Sequence, residues 1–501
     1  MGAPTPTAPT RGSTPHGLRH AAPRSLPRQG DPLVKQPGDD SILRPLAVLA
    51  VPIVLANAVQ TSQQLINTFW VGRLGADAVA AVSVSFPVIF LLVSLGGGLS
   101  IAGSILVAQH FGARDAVMVN RVAGQTLVMT VAVSLSLTLA GLLAAPALLR
   151  LMRVEPAVFA DALSYMRVSF AGILWGFLFA MYQALMRAVG DTRRPLYLIA
   201  AGVVLNLVLD PLLIFGWGPL PALGVAGAAW ATLLVQILCA LAGLRLLFSP
   251  RFGLHLQRCD LTPDWPLIAR VARLGLPASL EQSMQALSVA AITLLVAGFG
   301  TVAIAAYGIG MRVLTFVIIP AFGISMAAST LVGQSMGAED LARAERITRV
   351  SALAGFVLLG AAGVALALGA VPVVRVFAPH DPALVAQGTE VLQWMGPAFA
   401  LMGVQLSLAG TFRGAGDTFA AMLLSAIGFW LVQLPIAWTL SRNTALGVGG
   451  IWMTYPLSSA INALICFAYL RHGRWRRIRL TEERRLETRV AGEILIDEGR
   501  G

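Results

Sequence analysis

Between residues 42 and 471 the chain is a succession of long apolar blocks with almost no charge inside them. A block of about 20 apolar residues crosses a bilayer as a helix. No water is present there, so every backbone N–H and C=O must be bonded within the segment. Twelve such blocks can be read, at 42–70, 77–107, 119–147, 158–186, 195–216, 223–248, 266–298, 302–334, 348–377, 386–411, 417–440 and 448–471. Several exceed 25 residues, so those helices tilt or run past the hydrocarbon. Only 12% of the chain is charged, against about 25% in a soluble domain. The predicted fold class is an all-α membrane protein of twelve transmembrane helices.

The net charge of +12 would suggest nucleic acid in a soluble protein. Here it is a topology signal, because basic loops stay on the cytoplasmic side. Arg114 and Arg121, then Arg187, Arg193 and Arg194, then Arg251, Arg258, Arg270 and Arg273, then Arg343, Arg346 and Arg349, then Arg413, all fall in or beside even-numbered loops. The odd-numbered loops and the span ends facing them carry only Arg73, Arg150, Arg153, Arg375 and Arg442. Both termini are therefore expected in the cytoplasm, with no nucleic-acid partner. Lys35 is the single lysine and precedes the first span. A P-loop ATPase needs a lysine after its glycine-rich loop, so ATP hydrolysis by that route is excluded. The three cysteines, 239, 259 and 466, fit neither a disulfide framework nor a metal site.

Residues 1–40 hold eight of the 28 prolines and no apolar run, a composition that cannot bury a core. They are expected to be a disordered cytoplasmic tail. Residues 41–248 and 266–471 form two six-helix lobes in this reading, joined by a cytoplasmic linker at 249–265. Residues 472–501 form a basic tail whose Arg474, Arg476, Arg477 and Arg479 suit anionic lipid headgroups.

The two lobes share a sequence. Gln109-His-Phe-Gly112-Ala-Arg-Asp115 recurs 225 residues later as Gln334-Ser-Met-Gly337-Ala-Glu-Asp340. Arg187-Ala-Val-Gly190-Asp191-Thr192 recurs as Arg413-Gly-Ala-Gly416-Asp417-Thr418, and Gly224-Val-Ala-Gly227 as Gly447-Val-Gly-Gly450. Pro52 pairs with Pro277, Gln60 with Gln285 and Gly75 with Gly300. An even number of spans per repeat makes them parallel repeats about the membrane normal. The first two motifs read as short cytoplasmic turns, with Gly closing one helix and Asp or Thr capping the next.

With Val71-Gly-Arg73-Leu-Gly75 after the first span and Asn206-Leu-Val-Leu-Asp210-Pro211 in the fifth, this ordered set resembles the multidrug and toxic compound extrusion (MATE) family. The resemblance implies V-shaped lobes that alternate access. It also implies antiport of H+ or Na+ against a small organic molecule, often cationic or amphiphilic, with no other cofactor. A monomer in membrane lipid is expected.

Ionisable groups inside a membrane are costly and mark function by default. Asp210 and Glu281 lie well inside their spans. Asn206 precedes Asp210 by four residues and shares its helix face, and Pro211 removes a backbone donor beside it. A carboxylate, an amide and a freed carbonyl suit a proton or a hard cation such as Na+. The resemblance assigns the Asn206–Asp210 pair to cation coupling and points to Thr232 in the sixth span. Asn57, Gln60, Gln64 and Asn67 form an amide stripe on the first span, which serves either interhelical hydrogen bonding or the transport path. Glu281, Asn67, Gln60, Gln64 and Gln285 are the candidate cavity residues. The sequence departs from the family pattern at Asn67, where many members carry a titratable Asp. Trp70, Trp175, Met181, Tyr182, Trp394, Met402, Phe429 and Trp430 suit either a pocket for flat cations or interfacial anchoring. A lipid-linked sugar flippase of the same broad superfamily is the nearest alternative. An enzyme is not expected, because all six histidines fall outside spans or at their edges and no metalloprotease pattern occurs.

Overall fold

The computed structural model describes residues 42–216, 221–249, 254–478 and 480. The expected tails at 1–40 and beyond 480, and Arg251 in the linker, lie outside the described residues.

Among the described residues, twelve helices are long and apolar enough to cross a membrane. In order they are α1 (Leu43–Gly72), α2 (Ala76–Gly112), α3 (Ala116–Leu151), α4 (Pro156–Ala188), α5 (Arg193–Phe215), α6 (Val225–Leu247), α7 (Trp265–Ala297), α8 (Thr301–Gly337), α9 (Leu341–Leu368), α11 (Pro382–Ala415), the rod α12–α13 (Thr418–Arg442) and α14 (Val448–His472). The expected ninth span is two helices, since α9 stops before Gly369 and the short α10 (Ala370–Phe377) follows. Inside the eleventh span, residues Ile427–Gln433 wind as a π-helix between α12 (Thr418–Ala426) and α13 (Leu434–Arg442). Gly428 makes room there for Asn462 of α14, whose amide nitrogen would sit 2.1 Å from an added Cβ.

The capping expectation holds for the aspartates. The side chains of Asp115, Asp340 and Asp417 accept from the backbone N–H of Met118, Arg343 and Ala420 and start α3, α9 and α12. Thr192 makes no such bond. The glycine expectation divides. Gly190 and Gly416 adopt φ of 91° and 92° and close α4 and α11. Gly112 and Gly337 instead remain helical, and the left-handed residues of those turns are Arg114 and Glu339, at φ of 58° and 60°. Gln109, Gln334, Arg187 and Arg413 are likewise helical residues and not loop residues.

The packing joins the halves at one end. One apolar cluster, at the end of the N-terminal half far from residue 42, draws Val71, Ala81, Leu149, Phe170 and Ile214 from α1 to α5. Its counterpart in the C-terminal half draws Ile292, Tyr307, Phe399 and Trp452 from α7, α8, α11 and α14. At the other end the first helix of each half changes sides. Leu46, Leu49, Ala50 and Ile53 of α1 pack with Ile324, Ala327, Leu331 and Phe412 of α8 and α11. Leu267, Val271 and Leu274 of α7 pack with Leu106, Val122 and Leu185 of α2, α3 and α4. Each of these helices thus runs from one lobe into the other, and Pro52 and Pro277 sit near the handover.

The segment joining the halves is fastened rather than free. Leu254 and Leu256 are buried in the cluster around α3 and α4. Gln125 of α3 donates to the carbonyls of Asp260 and Thr262 at 2.8 Å each and accepts from the N–H of Asp264 at 3.0 Å. Arg121 pairs with the Asp264 carboxylate at 3.2 Å.

Candidate functional site

Three helices bring a chain of amides to one buried carboxylate. Asn206 and Asp210 lie one turn apart on α5 and both are 0% exposed. The Asn206 amide spends both donors, on Asp210 Oδ2 at 2.8 Å and on Asn67 Oδ1 of α1 at 2.8 Å. Asn67 in turn donates to Thr232 Oγ1 of α6 at 3.4 Å. The periodicity of α5 places the first pair on one face, and α1 reaches them because its C-terminal half packs on its own lobe.

Among the described residues, two oxygens at this site have no hydrogen-bond donor, Asn206 Oδ1 and Asp210 Oδ1. Buried polar atoms are ordinarily satisfied, so each exception asks for an explanation. Pro211 lies inside α5 and brings no N–H, so the carbonyl of Leu207 also lacks its intrahelical donor. The surplus at this point is entirely of acceptors. A proton on Asp210 or a bound cation balances it, and an anion does not. Oxygen donors of this kind suit a hard cation.

The sequence-predicted residues therefore divide. Asp210 and Asn206 are bonded to each other, and Thr232 joins them through Asn67. Asn67, read as a cavity residue, joins them as the bridge between the amide and the hydroxyl. Gln64 is exposed on α1, and Gln60 and Gln285 are half-buried. Glu281 lies elsewhere, in the other lobe, where its Oε1 accepts from Ser425 of α12 at 3.0 Å and faces Arg413 Nη2 at 3.8 Å. Its charge is already balanced within the protein. Sequence reasoning missed Arg413 as that partner because it placed the residue in a loop, whereas it occupies the last turn of α11.

The aromatic set is not a single pocket lining. Met181 and Tyr182 are fully buried core. Trp70 stacks edge-on with Phe69 and Phe215 and already carries the Arg73 guanidinium 5.3 Å from its ring. Trp430 donates its indole N–H to the Met284 carbonyl at 3.3 Å. Among the described residues no group of three or more His, Cys, Asp or Glu is placed to hold a metal.

The model for the MatE family matches residues 52–212 and again 277–439. The second match starts 225 residues after the first, the same interval as the motif repeat. A probable multidrug resistance protein of Bacillus subtilis, YoeA, is 31% identical over 444 residues, covering 88% of this chain and 96% of its own. The probable multidrug resistance protein NorM of Bradyrhizobium diazoefficiens is 33% identical, covering 83% and 90%. A solved structure of a multidrug resistance MATE family transporter of the MOP superfamily, in its outward-facing conformation, superposes with a TM-score of 0.82. It is 25% identical and covers 87% of this chain and 97% of its own.

Proposed function

Since the chain belongs to the MatE family, we propose that it exports small organic molecules as an antiporter driven by H+ or Na+. The chain is a multi-pass multidrug efflux transporter of the MATE family with twelve membrane-spanning helices. The multidrug resistance names of its relatives favour an organic, cationic or amphiphilic cargo over a lipid-linked sugar. The single observation behind the coupling is the pair of unpartnered oxygens, Asn206 Oδ1 and Asp210 Oδ1, buried beside a bridged amide network.

In this reading Asp210 holds the coupling ion. When the ion leaves, an uncompensated carboxylate remains in a buried site, and the resulting cost drives the lobes toward the state that lets the next ion in. Asn206 positions the carboxylate through one of its oxygens, Asn67 ties that amide to α1, and Thr232 fastens Asn67 to α6. Ion occupancy is thereby linked to the helix that spans both lobes. The arginine asymmetry of the loops supports cytoplasmic termini, and the bacterial relatives favour a bacterial cytoplasmic (inner) membrane.

The test is ion-driven efflux in liposomes, with proton and sodium gradients imposed separately. Asp210→Asn is neutral and packs like a protonated Asp. It is expected to lower gradient-driven efflux by about 5- to 150-fold, the range of a typical coupling energy, while substrate binding persists. Full activity of Asp210→Asn would remove Asp210 from the mechanism.

A further inference from the structure

At the end of the bundle where α2, α4, α8 and α11 terminate, two glutamines cross between the halves. Gln109 Nε2 of α2 donates to the Gly414 carbonyl of α11 at 3.1 Å. Gln334 Nε2 of α8 donates to the Ala188 carbonyl of α4 at 2.9 Å. Both glutamines are buried. Ala188 is the last residue of α4, and Gly414 is the last but one of α11. The final carbonyls of a helix have no donor in their own helix. Each half therefore supplies the cap for a helix end of the other, and it does so twice, at positions 225 residues apart.

The backbones between these caps are closer than any side chain permits. A Cβ on Gly112 would lie 1.9 Å from the Gln334 carbonyl oxygen, and a Cβ on Gly337 would lie 1.7 Å from that of Gln109. These two glycines are not needed for their turns, because Arg114 and Glu339 take the left-handed conformation. Their use is the crossing of α2 with α8. The repeated Gln-x-x-Gly is thus one device: the glycine lets the helices meet, and the glutamine bonds to the opposite half.

We propose that Gln109 with Gly112, and Gln334 with Gly337, form a paired latch that holds this end of the transport path shut, and that the transport cycle breaks both glutamine bonds to open it. The bonds suit repeated opening. Once the halves part, water reaches both amides and both carbonyls, so each bond exchanges for one to solvent. The glycine contacts only separate. Opening is then reversible, and the closed state is favoured by a sum of small terms that the coupling ion can outweigh. That this end faces the cytoplasm rests on the orientation proposed above. The readout below does not depend on it, so the two can fail separately.

The test is a distance across the latch. Spin labels at Val117 and Ala342, exposed and 225 residues apart at the starts of α3 and α9, report the separation of the halves at this end in the full-length transporter in nanodiscs. Gln109→Met and Gln334→Met keep the side-chain volume and lose the donor. Each is expected to lower the ratio of short to long distances by about 3- to 10-fold, and the pair by about 10- to 100-fold. Gly112→Ala and Gly337→Ala are expected to shift the ratio the same way. If the glycine variants do not fold, the methionine pair alone decides. An unchanged or increased short-distance fraction in the folded methionine pair overturns the proposal. So does a loss of thermal stability with no change in the ratio, since that is what plain packing predicts.

Discussion

Asp210 and Asn67 are two side chains of one site, and they differ in what the sequence says about them. Asp210 announces itself, because a carboxylate in an apolar block needs a reason and Asn206 four residues earlier points at it. Asn67 is silent, since an amide in a row of amides has no obvious partner until α1 and α5 are docked. In the structure it accepts from Asn206 at 2.8 Å and donates to Thr232 at 3.4 Å. Asn67→Asp keeps the acceptor, loses the N–H that donates to Thr232 and adds a negative charge beside a surplus of oxygens. Cation affinity rises with the charge of the ligand set. The variant is therefore expected to reach half-maximal efflux at a lower concentration of the coupling ion, by about 3- to 10-fold if one charge contributes about 1 kcal/mol at this spacing. Ion titration of efflux in liposomes reads this, and an unchanged midpoint would place Asn67 outside the ion's reach. Glu281 shows the opposite limit of legibility. Its depth in the span was plain, but its pairing with Arg413 was not, because the helix end of α11 lies further along the chain than the loop signals suggested.

Element ends proved harder to read than element centres. Most spans appear within about five residues of their expected limits, because apolar length carries that information, but the ninth starts seven residues early and breaks at Gly369. The turns mislead, since a glycine near a helix end signals either a left-handed cap or a close crossing, and composition does not distinguish them. Arg114 and Glu339 in the left-handed region resolve it in the structure. The joining segment is the other surprise at this scale. Read as a linker, it is pinned by Gln125, whose side chain makes three hydrogen bonds to its backbone. Gln125→Ala leaves two carbonyls and one N–H without those partners, at a local cost of about 2–4 kcal/mol. The expected outcome is faster tryptic cleavage after the exposed Arg258, by about 30-fold or more for a cost of that size. Cleavage at the wild-type rate would mean that Leu254 and Leu256 hold the segment without help.

The whole molecule is a repeat whose two copies are not independent. The interval of 225 was visible in the motifs, and the family model finds the same interval in its two matches. The exchange of α1 and α7 was invisible, because hydrophobic periodicity gives a helix an apolar face without saying which lobe covers it. Each half owns part of the other's inner cluster. Expressed alone, residues 1–250 or 251–501 are expected to be degraded. Co-expressed as two chains, they are expected to assemble and restore efflux, which co-purification and transport together check. Recovery of a folded, monodisperse single half would show the exchange to be dispensable. The same exchange sets a timetable for synthesis. Asn67 leaves the ribosome 139 residues ahead of the Asn206 that will bond it. At about 5–20 residues per second that is a wait of roughly 7–28 s. The apolar inner face of α1 passes this interval at no cost, since lipid covers it as well as α8 will. The amide of Asn67 has no such cover. During synthesis the Asn67 amide therefore lacks its Asn206 partner until the fifth helix arrives.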